Sequence, residues 1–378
     1  MPAFVELSLS AQTAYAQLFD ATLASELSRS VASLRGSFAR KTVKGRDYWY
    51  FQFTDLGGAL RQLYVGPDAE PVRSLVAQAR TRRDEPLLPL ARSAIALGCA
   101  PVLPRHFRVI RRLSEHGFFR AGGVLIGTHA FLSYGNLLGL RWSETARTQD
   151  VDFAHAGKSL SLALPSSLQV DTHGAIESLQ LGLLPIGGLS GKSGASYLNP
   201  GDPEFRLDFL TTLRRGGDAP HEHPQLRVAL QPLKFMEYLL ENVGQAAVFC
   251  EEGSVAVSIP HPARYALHKL LVFAERKGSF LQKAQKDLRQ AAALIEYLKA
   301  MRGWEVEEAW ADMLARGRGW TTRAKQGRDA LAQSAPELAI KDWLRMPSGR
   351  TFQTTTVRKE AGRASMALSK PFRRLERQ

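Results

Sequence analysis

Hydrophobic positions recur at different spacings along the chain and divide it into regions. In residues 1–30, Phe19, Leu23 and Leu27 follow one another every four residues, which is the spacing of a helix face. Strands are predicted for the aromatic-rich runs SFARKTVKGRDYWYFQFTD and LRQLYVG, the first of which contains a hairpin turn. From about residue 231 the pattern is mainly helical and begins with an amphipathic helix over LKFMEYLLENV, but AAVFCEEGSVAVSIP predicts a strand pair.

Short strands and helices alternate in the middle of the chain. Helices are predicted for RHFRVIRRLSEHG and THAFLSYGNLLG, which end at Gly117 and Gly139, and the buried strand GGVLIG lies between them. Strands are predicted for QDVDFA and FRLDFLTT, whereas loops are predicted for RWSETART and PIGGLSGKSGASYLNPGDPE because of their polar, Gly and Pro content. This order of elements indicates a mixed sheet with helices on one side.

The fold class that these patterns predict is α+β. A chain of 378 residues is too long for one ordinary core, so several folding units are expected. We predict a small N-terminal α+β module over 1–95, a mixed β-sheet core with helices on one side over 105–230, and a mainly helical C-terminal domain over 231–344. Residues 345–378 carry nine basic and two acidic side chains, so this basic tail is expected to be disordered at least in part.

The charge of the chain narrows the choice of partners. Fifty Lys and Arg against 36 Asp and Glu give a net charge of +14 and a pI near 10.0, which favours polyanions such as nucleic acid or nucleotides. The alternative is a basic protein without a specific polyanionic partner. No run of 18 apolar residues and no signal peptide is present, and the chain has two cysteines, so a cytoplasmic protein without a membrane partner is expected.

The hairpin near residue 45 combines basic and aromatic side chains, a mixture that holds a nucleic-acid strand by phosphate contacts and base stacking. The alternative, which we favour at this stage, is a sheet with one solvated face and one buried aromatic face. The side chains concerned are Arg40, Lys41, Lys44 and Arg46 beside Tyr48, Trp49 and Tyr50.

Two aspartates in QDVDFA alternate with apolar residues. Since residues i and i+2 of a strand project from one face, Asp150 and Asp152 point together. Asp208 is framed by apolar residues in the same way, and it would lie roughly 5 Å from one of the first two if the strands pair. Carboxylates gathered this way repel one another and favour a hard cation such as Mg²⁺, although Asp-x-Asp is also common on a solvated strand face.

A buried strand meets a helix at Gly127 and Thr128. Glycine lets the backbone approach a ligand closely, and the first turn of a helix offers free N–H groups to a phosphate. The alternative is an ordinary helix cap, a position that threonine often fills.

Taken together, Ile126-Gly127-Thr128, Asp150-Val151-Asp152 and Asp208 resemble the DNA polymerase beta-like nucleotidyltransferase superfamily, and within it the bacterial abortive-infection toxin type. The resemblance covers about residues 105–300 and implies a nucleotidyltransferase core. It implies that Asp150 and Asp152 bind both metal ions, and that Asp208 binds the catalytic ion and helps to deprotonate the acceptor. Thr128 stands where the family usually has serine, and the segment between Thr128 and Asp150 is longer than in many members.

The function expected from this resemblance is Mg²⁺-dependent transfer of a nucleoside monophosphate from an NTP, with Mn²⁺ as an alternative ion. The acceptor is left open between RNA, such as tRNA, and a protein, as in a toxin-like enzyme. The alternative is an inactive nucleotidyltransferase fold that acts as a nucleic-acid-binding or regulatory module. Besides Gly127 and Thr128, the candidates for nucleotide binding are Lys192, Lys269, Arg276 and Lys286, although each could instead be an ordinary solvated side chain.

Overall fold

The computed structural model describes residues 3–27, 37–43, 45–54, 60–80, 87–143, 150–156, 170–187, 193–213, 217–276 and 281–346. Lys44, Lys192 and the basic tail from residue 347 therefore lie outside the described residues.

Strands and helices alternate along the described chain. The strands are β1 (Phe4–Glu6), β2 (Ser37–Val43), β3 (Arg46–Thr54), β4 (Leu60–Pro67), β5 (Gly123–Leu125), β6 (Leu140–Trp142), β7 (Asp150–His155), β8 (Leu184–Gly187), β9 (Ser193–Asn199), β10 (Asp202–Thr212), β11 (His221–His223), β12 (Val228–Leu233), β13 (Val243–Cys250) and β14 (Gly253–Pro260). The helices are α1 (Leu9–Leu27), α2 (Glu70–Arg80), α3 (Leu87–Ala96), α4 (Pro104–Glu115), α5 (Gly127–Leu138), α6 (Thr172–Glu177), α7 (Met236–Leu239), α8 (Pro262–Glu275), α9 (Leu281–Ala315), α10 (Arg318–Ser334) and α11 (Ile340–Trp343).

The main sheet runs in the order β11-β12-β10-β7-β5, and β9 joins it beside β10 and carries β8. Strands β7, β10 and β12 are parallel, whereas β5 and β9 are antiparallel to their neighbours, so the sheet is mixed. Val151 and Phe153 of β7, and Leu207 and Phe209 of β10, are buried completely beneath it. The α+β fold class with a mixed sheet and a C-terminal helical region is confirmed.

Two predicted loops contain strands instead. The Gly/Ser-rich segment before β10 forms β8 and β9, because β9 finds partners on both sides and buries Tyr197. The polar segment after Gly139 begins with β6, which pairs with β1 near the start of the chain. Strand β6 depends on a partner distant in sequence, whereas β9 pairs with its sequence neighbours β8 and β10, and local composition reveals neither pairing.

The C-terminal region is helical as predicted, with one exception. The amphipathic helix expected over LKFMEYLLENV is wrong: α7 is a single turn, and Val243 already begins the β13–β14 hairpin. Helix α9 departs from helical geometry at Arg302, which directly precedes Gly303. In the described chain, no helix is both long and apolar enough to cross a lipid bilayer.

Helices α1 and α3 pack against each other and against the β13–β14 hairpin. Their residues Ala11, Tyr15 and Ala94 form a small core with Ala247 and Phe249 of β13. The N-terminal helices therefore cover the β13–β14 hairpin, while the division into domains stays a prediction.

Candidate functional site

The predicted pairing of the two aspartate strands is confirmed. Strand β10 lies parallel to β7 with Asp208 beside Asp152, and Arg206 beside Asp150. The buried residues that flank each aspartate place all three carboxylates on the opposite face of the sheet. Adjacent strands are about 4.8 Å apart, so Asp152 and Asp208 are direct neighbours.

The two central carboxylates have perturbed pKa values. Burial raises the pKa of Asp152 to about 6, and the negative charges of Asp208 and Asp150 add to this effect against the opposing charges of Lys269 and Lys283. Burial also raises the pKa of Asp208. At neutral pH, Asp152 therefore carries a charge that the folded protein accommodates unfavourably, and burial disfavours the charged form of Asp208 in the same direction.

The carboxylates of Asp150 and Asp208 each contact one further side chain. The Lys283 ammonium lies 3.7 Å from Asp150 Oδ2, and the Ser196 hydroxyl donates a hydrogen bond to Asp208. Across the part of the chain that the structure describes, no group of three or more His, Cys, Asp or Glu side chains is gathered closely enough to hold a metal ion.

The start of α5 lies directly against Asp152. The Ile126 amide donates to the Asp152 carbonyl oxygen at 3.0 Å, and Gly127 has the positive φ of +62°. A Cβ atom on Gly127 would lie 2.0 Å from Asp152 Oδ2, so no side chain fits there. From α8, the Tyr265 hydroxyl lies 2.8 Å from the Gly127 carbonyl oxygen, where it can donate to it. Thr128, the next residue, is buried.

In chemical type, this donor set suits a divalent cation with a phosphate ligand. The carboxylates of Asp150, Asp152 and Asp208 are hard oxygen ligands. The pKa of Asp152 is raised mainly by burial and further by the charges of Asp208 and Asp150, and a positive charge would oppose both effects. The absence of a side chain at Gly127 lets the Asp152 carboxylate approach the N-terminal end of α5, where backbone amides favour an anion.

Cationic side chains approach the carboxylates from α8 and α9. Lys269 and Lys283 act electrostatically on Asp152, and Lys286 is a partly buried neighbour of the same carboxylate. Burial lowers the pKa of Lys286, and the charge of Lys269 lowers it further. The sequence analysis missed Lys283, although its spacing of three residues from Lys286 places both on one helix face.

Two of the predicted nucleotide-binding residues are held by a buried carboxylate. Lys269 Nζ and Arg276 Nε each lie 2.7 Å from an oxygen of Asp287, whose side chain is 4% exposed. Asp287 therefore fixes the position of both cations and offsets part of their charge.

Replacing Asp287 by Ala is expected to lower the free energy of unfolding by about 2–3 kcal/mol, because it leaves two largely buried cations without their anion. Urea denaturation measures the loss. The matched control is Glu115→Ala, which removes the more exposed pair with Arg111 on α4 and is expected to cost about 0.5 kcal/mol. Equal effects in the two variants would contradict an anchoring role for Asp287.

A buried histidine pair lies behind Thr128 and was not predicted. His106 Nδ1 of α4 and His129 Nε2 of α5 are 3.0 Å apart. Burial lowers the pKa of His106 to about 4 and that of His129 to about 3, so both rings are neutral at pH 7. One ring therefore donates to the other, which ties α4 to the first turn of α5.

Comparison with known proteins agrees with this geometry. Residues 105–315 match a family model described as nucleotidyltransferase, and since the match covers more than half of the chain, the chain belongs to this nucleotidyltransferase family. The chain matches none of the curated proteins.

A solved structure of an antigenic nucleotidyltransferase-like protein from Paracoccidioides brasiliensis is similar over 65% of this chain and 94% of that one. The identity is 14% and the TM-score is 0.33, a likeness that supports no argument about function.

Proposed function

We propose that this protein is a Mg²⁺-dependent nucleotidyltransferase, with Mn²⁺ as an alternative ion, that moves a nucleoside monophosphate from an NTP to a hydroxyl or phosphate acceptor. The observation that carries the proposal is the pairing of Asp208 with Asp152 beside the side-chain-free backbone of Gly127. Membership of the family supports the general class of transferase.

The proposed reaction is a single displacement at the α-phosphorus. The acceptor oxygen bonds to the α-phosphorus while the bond to the bridging oxygen of the β-phosphate breaks, and pyrophosphate leaves with that electron pair. Asp208 takes the proton of the acceptor, a role for which burial suits it by raising its pKa. A divalent cation held by Asp150, Asp152 and Asp208 would supply charge stabilisation for the phosphates.

The remaining residues bind and orient the nucleotide in this proposal. The amides of Gly127 and Thr128 hold phosphate oxygens at the start of α5. Positive charge is supplied from α8 and α9 by Lys269, Lys283 and Lys286. Each of these side chains acts on the Asp150–Asp152 pair in the structure. Arg276 contributes indirectly, because it shares its ion-pair partner Asp287 with Lys269. Lys192 stays a candidate from the sequence alone.

The test is incubation of the protein with labelled NTPs and Mg²⁺ or Mn²⁺ in the presence of total RNA or cell lysate. Asp208→Asn is expected to lower label transfer about 100- to 1,000-fold, because it removes the proposed proton acceptor and one proposed ligand of the cation. Asp202→Asn is the matched control, since Asp202 begins the same strand but pairs with Arg105.

Label in RNA or label in protein identifies the acceptor class. Binding of RNA without any NTP-dependent or metal-dependent transfer would contradict the proposal and favour an inactive nucleotidyltransferase fold.

A further inference from the structure

The sheet formed by β2, β3 and β4 has two faces of different character. On one face, Phe38 and Phe51 pack with their ring centroids 5.0 Å apart, and Phe51 is only 1% exposed. A Cβ atom on Gly66 would lie 2.8 Å from the side chain of Val72, so α2 packs against this face. The buried face is thus formed by Phe38 and Phe51, whereas Tyr48 and Tyr50 of the predicted aromatic face lie on the opposite side.

The other face also carries aromatic rings, and these are open to solvent. The ring centroid of Tyr64 lies 6.0 Å from that of Tyr48 and 5.7 Å from that of Tyr50, so the three rings form one cluster. Tyr64 is 58% exposed, and Tyr48 and Tyr50 are partly exposed. Exposed aromatic side chains gathered in one patch are unusual unless they contact a partner.

The charges near the tyrosine cluster are positive. The Lys41 ammonium lies 5.4 Å from the centre of the Tyr50 ring and donates to the Gln62 side chain, and Arg46 is exposed near the hairpin turn. Among the described residues, neither Lys41 nor Arg46 forms an ion pair. The nearby carboxylates of Asp47 and Asp68 are instead within 4 Å of Arg40.

We propose that this tyrosine face binds single-stranded nucleic acid, with bases stacked on Tyr48, Tyr50 and Tyr64 and phosphates on Lys41 and Arg46. Aromatic rings beside cations bind unpaired bases, because every base has a flat face that stacks and every nucleotide carries a negative charge. A duplex conceals the faces of its bases, so single strands are the form that fits. The inference concerns binding alone and does not rest on the proposed transfer activity.

The test measures the affinity of the full-length protein for fluorescent ten-nucleotide RNA and DNA single strands by anisotropy. EDTA is present and NTP is absent, so the result is independent of catalysis. Tyr64→Ala is expected to weaken binding of one or both strands on the order of tenfold, whereas Tyr64→Phe keeps the ring and stays within about twofold of wild type. A thermal melt of each variant checks that the fold is retained.

Salt dependence and a duplex probe complete the design. Lys41→Gln is expected to reduce the slope of log affinity against log salt by about 0.7, the value for one phosphate contact to a single strand. A duplex of the same length is expected to bind with little sensitivity to Tyr64→Ala. Unchanged single-strand affinity in Tyr64→Ala, or an equal loss in Tyr64→Phe, would overturn the proposal.

Discussion

Replacing Asp152 by Asn is expected to lower nucleotidyl transfer about 100- to 1,000-fold while making the metal-free protein more resistant to unfolding. Asparagine has nearly the same size as aspartate but carries no charge. The substitution therefore removes a proposed metal ligand and also the electrostatic repulsion between Asp152 and the carboxylates of Asp150 and Asp208. Asp152 is the central carboxylate of the site, with Asp150 on its own strand and Asp208 on the next. Transfer of label and thermal unfolding in EDTA measure the two effects on one preparation.

The gain in stability is expected to depend on pH. The pKa of Asp152 is about 6 in the folded protein against an ordinary value of 3.8, so between these values the folded state retains a proton that the unfolded chain has lost. The contribution of this group to stability is therefore fully present below about pH 4 and is lost as the pH rises through about 6. The advantage of the variant should grow over that window to about 3 kcal/mol, since the two pKa values differ by about 2 and one pKa unit is about 1.4 kcal/mol.

Urea denaturation of wild type and Asp152→Asn at pH 4, 5, 6 and 7 measures this difference. If the free energy of unfolding of Asp152→Asn exceeds that of wild type by the same amount at every pH, Asp152 does not carry an unfavourable charge in the folded protein. Retained transfer in the variant would remove Asp152 from the proposed site, whatever its effect on stability.

Much of the site could be predicted because its signals are local. The alternation of Asp150 and Asp152 with buried residues follows directly from strand geometry. The glycine at the start of α5 is recognisable because a strand that ends at a helix needs an unusual backbone there, and Gly127 has a positive φ. The sequence alone did not establish that β7 pairs with β10, because more than 50 residues separate Asp152 from Asp208.

The residues that sequence reasoning missed depend on contacts between distant segments. Lys283 is one of many surface lysines until α9 packs on α8 and brings it to Asp150. Asp287 lies in the region predicted to be mainly helical, but only its two ion pairs identify it as an anchor. Strand β9 was missed for a different reason, because its Gly/Ser-rich composition indicates a loop although it pairs with the neighbouring β8 and β10.

The sheet of β2, β3 and β4 shows a different limit of prediction from sequence. Alternating aromatic and basic residues were correctly read as a two-faced sheet, but the pattern of β3 alone does not show which face carries the exposed rings. Tyr64 of β4 decides this, because it joins Tyr48 and Tyr50 on the solvent face while Phe51 lies on the buried one. The pairing of β3 with β4 includes an irregularity after Trp49, which no sequence rule places.

Replacing Gly127 by Ala is expected to abolish most nucleotidyl transfer, with a loss of about 100-fold or more, and to destabilise the protein by about 2 kcal/mol. An alanine at a positive φ costs roughly 1–2 kcal/mol on its own. In addition, the new Cβ atom would lie 2.0 Å from Asp152 Oδ2 and 2.9 Å from its Cγ, so the carboxylate must move. A displaced carboxylate can no longer act together with Asp208, and small misplacements at a reacting centre are costly.

Gly139→Ala separates the effect of backbone strain from the effect on the site. Gly139 ends the same helix α5 with a similar φ of +73°, but its Cβ atom would meet the side chain of Gln12, which is flexible and can move away. Both variants should therefore lose stability, because alanine is strained at a positive φ. Nucleotidyl transfer by Gly139→Ala is nevertheless expected to stay within about threefold of wild type. Equal losses of transfer would mean that α5 responds as a whole to strain. A selective loss in Gly127→Ala ties the activity to the contact between the helix start and Asp152, which is the contact that only glycine permits.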